Sequence, residues 1–159
     1  MRRTKLLVPA AIAMLAGLST VSGPAAAVST TKPPAPKPPV IPEPWNPPFA
    51  CNQQSNFGIE GCIERDIDSK DKRVVAEIRL LFRLVYDDAS RRDLVNAQSA
   101  WLAYRTADCT SQSDEYEGGT EQPVAYLACL AVDDQSRSAD LKGFYSVLVQ
   151  DQPNPPKFP

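Results

Sequence analysis

The residues of this chain best suited to chemistry are four cysteines, Cys51, Cys62, Cys109 and Cys129. In an exported chain an even count reads as two disulfides. Three pairings are open. Cys51–Cys62 with Cys109–Cys129 closes the shortest loops, and each such closure stabilises by roughly 3 kcal/mol in the chain-entropy treatment. A zinc site is the rival use, but the spacings C-x10-C and C-x19-C do not resemble zinc knuckles. No C-x-x-C is present, which argues against a thiol oxidoreductase. The chain has no histidine, which removes Ser-His-Asp and Cys-His catalysis and the usual general base. No phosphate-binding glycine loop occurs, and Gly118-Gly119 is a turn signal. Asp87-Asp88, Asp133-Asp134 and Asp114-Glu115-Tyr116-Glu117 are carboxylate groupings of the kind glycoside hydrolysis uses. Adjacent acids in loops and at helix ends are far more often solvated. The expectation is a protein that is not an enzyme and that uses neither metal nor cofactor.

Export follows from the N-terminus. Arg2, Arg3 and Lys5 precede an uncharged apolar run from Leu6 to Leu18, and Ala25-Ala26-Ala27 supplies the small residues of a cleavage site. Residues 1–27 are expected to be a signal peptide cut after Ala27. The run is short and interrupted by Pro9 and Gly17, so no permanent membrane anchor is expected. Residues 28–50 are dense in proline and predict an extended polyproline-II linker, either a stalk or a solvated tail. Residues 151–159 are a shorter proline-rich tail of the same kind. Between them lies one domain, 51–150, of common size. Of 17 basic and 19 acidic residues, five basic and one acidic precede Cys51, leaving 12 and 18 and a net charge of −6. That balance disfavours nucleic acid and anionic lipid and favours basic partners.

Apolar residues in the domain recur with helical period. Val74, Ile78, Leu81 and Val85 form a stripe, widened by Val75, Leu80 and Phe82, within a helix predicted from Asp66 to Asp87. Glu77, Arg79 and Arg83 fall largely outside that stripe. A second helix is predicted from Arg91 to Cys109, capped by Ser90, with Leu94, Ala97, Trp101 and Tyr104 inward and Ala97 and Ala100 permitting close approach. Trp101 reads as a core anchor, and Arg105 as half of a structural ion pair near the helix end. Thr110 to Pro123 is a polar loop with four acids, pinned at both ends by Cys109 and Cys129. It is either a recognition loop or an inert connection. Pro123 suits the first turn of a third helix, and Gly143 marks a potential break in it. No alternating strand pattern is present. The fold class predicted is all-α, a small three- to four-helix bundle with two disulfides.

These residues resemble the LprI-type lysozyme inhibitor family of small exported bacterial domains. The resemblance rests on CNQQSNFGIEGC at 51–62, with Glu60 two positions before the second cysteine, and on AQSAWLAYRTADC at 97–109, which carries Gln98, Trp101, Tyr104 and Arg105. Gly118-Gly119-Thr120 and the segment from Tyr126 to Leu130, followed by Ser136, Arg137 and Leu141, complete it. Leu81 stands where the family has Asn, Leu84 where it has Tyr, and Thr106 where Asp is usual. The resemblance implies an all-helical fold, local disulfides and binding of lysozyme, the peptidoglycan-cleaving muramidase. Common lysozymes are basic, so an acidic domain meets complementary charge. Asp114, Glu115, Glu117, Gly118 and Gly119 are the candidate partner-binding residues, as a constrained acidic loop able to block a carbohydrate cleft. A different class of function stays open: a non-catalytic envelope module, loosely wall-associated on its proline-rich stalk.

Overall fold

The computed structural model describes residues 34–39, 41 and 49–159. The predicted signal peptide and most of the proline-rich linker lie outside the described residues. The described residues form three long helices, with no strand among them: α1, Asn56–Leu84; α2, Asp88–Ser113; and α3, Gln122–Leu148. A short 3-10 helix, Asp114–Tyr116, follows α2.

α1 starts ten residues before the predicted start. Its first turns bury Gly58, Glu60, Gly61 and Glu64 rather than apolar residues, so no hydrophobic period announces them. What starts the helix is Ser55, whose hydroxyl accepts the Gly58 N–H at 3.2 Å. Gly58 and Gly61 are small because the incoming chain crosses them. A Cβ on Gly61 would lie 2.5 Å from the Phe49 carbonyl oxygen, and one on Gly58 would lie 2.5 Å from that of Asn52. The Cys51–Cys62 disulfide holds that crossing segment against the first turns of α1.

Asp87, not Ser90, caps α2; its carboxylate accepts the Ser90 N–H at 2.9 Å. α2 runs four residues beyond Cys109, so Thr110–Ser113 is helix rather than the predicted loop. α3 begins with proline in its first turn, as predicted, and continues unbroken past Gly143.

α3 lies against both α1 and α2, whereas α1 and α2 scarcely approach each other directly. Two apolar clusters fill the bundle. One joins Ile67 of α1, Cys109 of α2 and Leu127, Leu130 and Ala131 of α3. The other holds Val74, Ile78, Leu81 and Val85 with Leu94 and Leu141, so the predicted α1 stripe is the core. Trp101 packs at the edge of this second cluster. The second disulfide, Cys109–Cys129, ties α2 to α3 beside the first cluster. Both pairings are the local ones.

Parts of both proline-rich segments touch the domain, although most of their described residues are exposed. The C-terminal tail folds back on α3: the Phe158 and Tyr145 rings lie 4.9 Å apart, and the Tyr145 hydroxyl donates to the Pro156 carbonyl. Pro39 is buried and Ile41 packs against the second cluster. That part of the linker therefore lies on the domain, alongside Val95, Asn96 and Ser99 of α2.

Two glycine substitutions should move stability in opposite directions. Gly61→Ala drives a Cβ into a backbone carbonyl and should cost about 1–3 kcal/mol. Gly143→Ala meets nothing within 4 Å and should stabilise by about 0.5–1 kcal/mol through helix propensity. Urea unfolding of the oxidised protein measures both.

Candidate functional site

The end of the bundle carrying the N-termini of α1 and α3 also carries the α2–α3 connection. Asp114, Glu115, Glu117, Gly118 and Gly119 are all exposed there. Asp114 and Glu115 open the 3-10 helix. Gly118 has φ +76° and open space where a side chain would stand, so the turn needs the left-handed conformation that glycine supplies without strain. Tyr116 is 51% exposed amid the acids, which makes the loop amphipathic rather than purely polar.

Several contacts hold this connection in place. The Glu117 N–H donates to the Asp114 carbonyl at 3.1 Å, and the Gly119 N–H to the Tyr116 carbonyl at 2.9 Å. Asn56, in the first turn of α1, donates from Nδ2 to the Thr120 carbonyl at 3.1 Å, to Thr120 Oγ1 at 3.0 Å and to Glu121 Oε1 at 3.1 Å. The Cys109–Cys129 disulfide joins the helices on either side. The loop is therefore short, braced and acidic, and it presents its carboxylates to solvent.

The motif residues of α2 go elsewhere. Arg105 is buried between the helices, with Nη1 3.1 Å from Asp71 Oδ1 of α1 and Nη2 3.0 Å from Asp134 Oδ2 of α3. The Arg105 and Arg137 guanidinium groups both lie over the Trp101 ring, 5.4 and 5.6 Å from its centroid. Gln98 is buried and accepts from Arg137 Nε and Nη2 at 3.2 and 3.1 Å. Gln98, Trp101 and Arg105 thus form one buried polar network, which makes Arg105 the structural ion-pair residue expected and Trp101 a half-buried stacking partner. Tyr104 stays outside it, 59% exposed. Ala97 and Ala100 are also exposed. The inward face of α2 therefore lies one residue round from the predicted stripe. Glu77, predicted outside the α1 stripe, is 1% exposed and accepts from the Ser138 hydroxyl at 2.5 Å.

Two acids share one guanidinium. Burial pushes the Asp134 carboxyl up to about 7; Arg105 and Lys70 oppose that rise, and Asp71 and Asp133 add to it. Burial likewise raises Asp71, and the charge and hydrogen bond of Arg105 oppose that rise. Asp71 Oδ2 and Asp134 Oδ1 are buried without a hydrogen-bond partner, and desolvation of that kind disfavours the charged form. A carboxyl raised in the folded state binds protons more tightly there than in the unfolded chain, so stability falls as pH climbs from about 4 to about 7 and levels above that. Urea midpoints should accordingly be higher at pH 5 than at pH 8, by on the order of 2 kcal/mol in stability. Asp134→Asn should flatten that dependence. Arg105→Met should cost about 3–5 kcal/mol at pH 8, because it strands both acids.

A group of Asp108, Cys109, Cys129 and Asp133 side-chain atoms lies within 4.8 Å, but both sulfurs are spent in the disulfide. Among the described residues no helix is long and apolar enough to cross a membrane.

No solved structure matches the chain. Uncharacterized protein R02472 of Rhizobium meliloti (strain 1021) is 28% identical over 104 residues, covering 55% of this chain and 72% of that protein. The family described as Lysozyme inhibitor LprI matches residues 50–141, which span both disulfides, the buried Gln98–Trp101–Arg105 network and the acidic connection. The chain belongs to the LprI lysozyme inhibitor family.

Proposed function

We propose that the protein is exported and binds and inhibits a basic lysozyme, protecting the cell wall, with no catalysis of its own. The observation that carries this reading is the braced acidic connection at one end of a domain of this family. Asp114, Glu115, Glu117 and Glu121 are exposed on it; Asn56 ties its far end at Thr120 and Glu121, and the second disulfide joins the helices on either side. A pre-ordered loop loses little conformational freedom on binding, so more of its interaction energy appears as affinity. A cluster of like charge also speeds encounter with a partner of opposite charge. Two local disulfides suit an oxidising compartment outside the cytoplasm.

The other reading, an envelope module on a proline stalk, needs the linker to stand away from the domain. Pro39 and Ile41 lie on it, so a stalk would be made by the remainder of the linker.

The oxidised protein, titrated into a cell-wall lysis assay with a basic lysozyme, should inhibit in a dose-dependent manner, and less so at moderate than at low salt. The triple variant Asp114→Asn, Glu115→Gln, Glu117→Gln should stay folded and lose inhibitory potency by about tenfold to a hundredfold. A folded wild-type protein that leaves lysis unchanged at every salt concentration rules out this lysozyme as the target.

A further inference from the structure

Beside the acidic connection lies a pocket of about 380 Å³, lined by Ser55, Asn56, Phe57, Glu60, Thr120 and Pro123. Its walls are mainly apolar, with Phe57 and Pro123 among the residues that form them. Its one charged lining residue is Glu60, which is only 7% exposed. Among the described residues Glu60 makes no hydrogen bond or ion pair. Glu64, one helical turn further on, is 6% exposed and leaves Oε2 without a partner. The Glu64 carboxyl is held above its ordinary range by burial and by the charge of Glu60.

Arg65, the next residue in the chain, bonds to neither acid. It spends Nη1 on the Gly61 carbonyl at 2.9 Å and Nη2 on the Phe49 carbonyl at 3.3 Å. Buried carboxylates are ordinarily paired, because an unpaired one carries a desolvation cost that nothing returns. The fold thus retains a carboxylate in an apolar-walled pocket that opens to solvent, with no cation of its own bonded to it.

We infer that this pocket receives a lysine or arginine side chain of the protein partner, with the aliphatic stem along Phe57 and Pro123 and the cation against Glu60. Long basic side chains combine an apolar stem with a charged head, which matches both the walls and the lining acid. Phe57 is 61% exposed, and its ring also packs 5.0 Å from that of Phe49. The volume lies near the lower end of ligand pockets, enough for one side chain rather than an extended segment. A neutral saccharide could donate hydroxyl hydrogen bonds to Glu60 but would bring no opposite charge. Asn56 joins the pocket rim to Thr120 and Glu121, so a basic surface reaching the acidic loop meets the pocket in the same approach. The inference rests on the lysozyme reading for the identity of the partner and on the pocket alone for the chemistry of the ligand.

The test is a nitrogen-15 NMR titration of the oxidised protein with Nα-acetyl-arginine amide, against Nα-acetyl-citrulline amide as a neutral compound of nearly the same shape. The arginine compound should give saturable shifts at the amides of Phe57–Glu60 and Thr120–Val124, and the citrulline compound should not. Glu60→Gln, which preserves size, should weaken binding at least about tenfold, and Phe57→Leu, which keeps an apolar side chain against Phe49, several-fold. Equal shifts from citrulline, shifts spread over the acidic surface, or an unaltered Glu60→Gln titration would overturn the proposal. Lysis inhibition measured on the same samples separates the two readings. An inhibiting protein with a silent pocket overturns the pocket and leaves the inhibitor reading standing. A protein that binds arginine amide but never slows lysis does the reverse.

Discussion

Arg105 touches all three helices at once, and the register of the bundle depends on it. α1 and α2 scarcely meet directly, yet Arg105 crosses that gap to Asp71 while its other nitrogen takes Asp134 of α3. A buried guanidinium is costly to desolvate and is tolerated only where its fork is met with good geometry. A slip of one helical turn moves either carboxylate by about 5.4 Å, which would leave the cation unmatched. Apolar clusters of Ile, Leu and Val tolerate such slips far better than a planar fork does. The ion triad therefore contributes specificity of alignment, and the apolar clusters on either side of it supply most of the favourable burial.

The functional end inherits its position from this constraint. Cys109 is one turn beyond Arg105 on the same face of α2, and its disulfide to Cys129 clamps α2 to α3. With both helices fixed there, the connection from Asp114 to Glu121 has little freedom left, and Asn56 removes more by tying it to α1. Stiff presentation of acids is unfavourable for the isolated domain, since like charges repel. The disulfide and the helix alignment offset that repulsion. Rigidity at this end is thus a product of the core, transmitted through one helical turn and one covalent link.

How legible each part is in the sequence follows from the kind of residue that is buried. The later half of α1 is readable because Val74, Ile78, Leu81 and Val85 are apolar and periodic, and all four are core. The first turns of α1 are not, because their buried positions are two glycines and two glutamates, a pattern with no hydrophobic period. Ser55 is the available signal, as a cap ahead of the run. α2 reads one residue out of phase for a related reason: its inner face is Leu94, Gln98, Trp101, Arg105 and Cys109, so hydropathy points to Ala97 and Tyr104 instead. The family motif names Gln98, Trp101, Arg105 and Cys109, which face inward, together with Ala97 and Tyr104, which are exposed, so the motif alone does not separate the two faces. The acidic connection is visible from composition and Gly118-Gly119. The Glu60 pocket is not, because it exists only where Phe57 and Pro123, distant in the chain, come together.

Exposed and buried acids at this end differ in how salt acts on them, and that difference divides their roles. Asp114, Glu115 and Glu117 stand in water, where charges separated by more than about 8–10 Å are largely screened at physiological ionic strength. Their influence is greatest on encounter, through a field that a basic surface senses before contact. Glu60 lies in an apolar-walled recess, where the local dielectric is lower and mobile ions approach less closely, so its attraction for a cation is short in range and weakly screened. An acidic loop alone gives fast association with any basic protein and little discrimination among them. A single recessed carboxylate beside it adds a geometric condition, since only a surface that places a long basic side chain at the right distance from the loop's partners satisfies both. On the inhibitor reading, the loop sets how quickly a basic muramidase is met, and the recess sets which one stays bound.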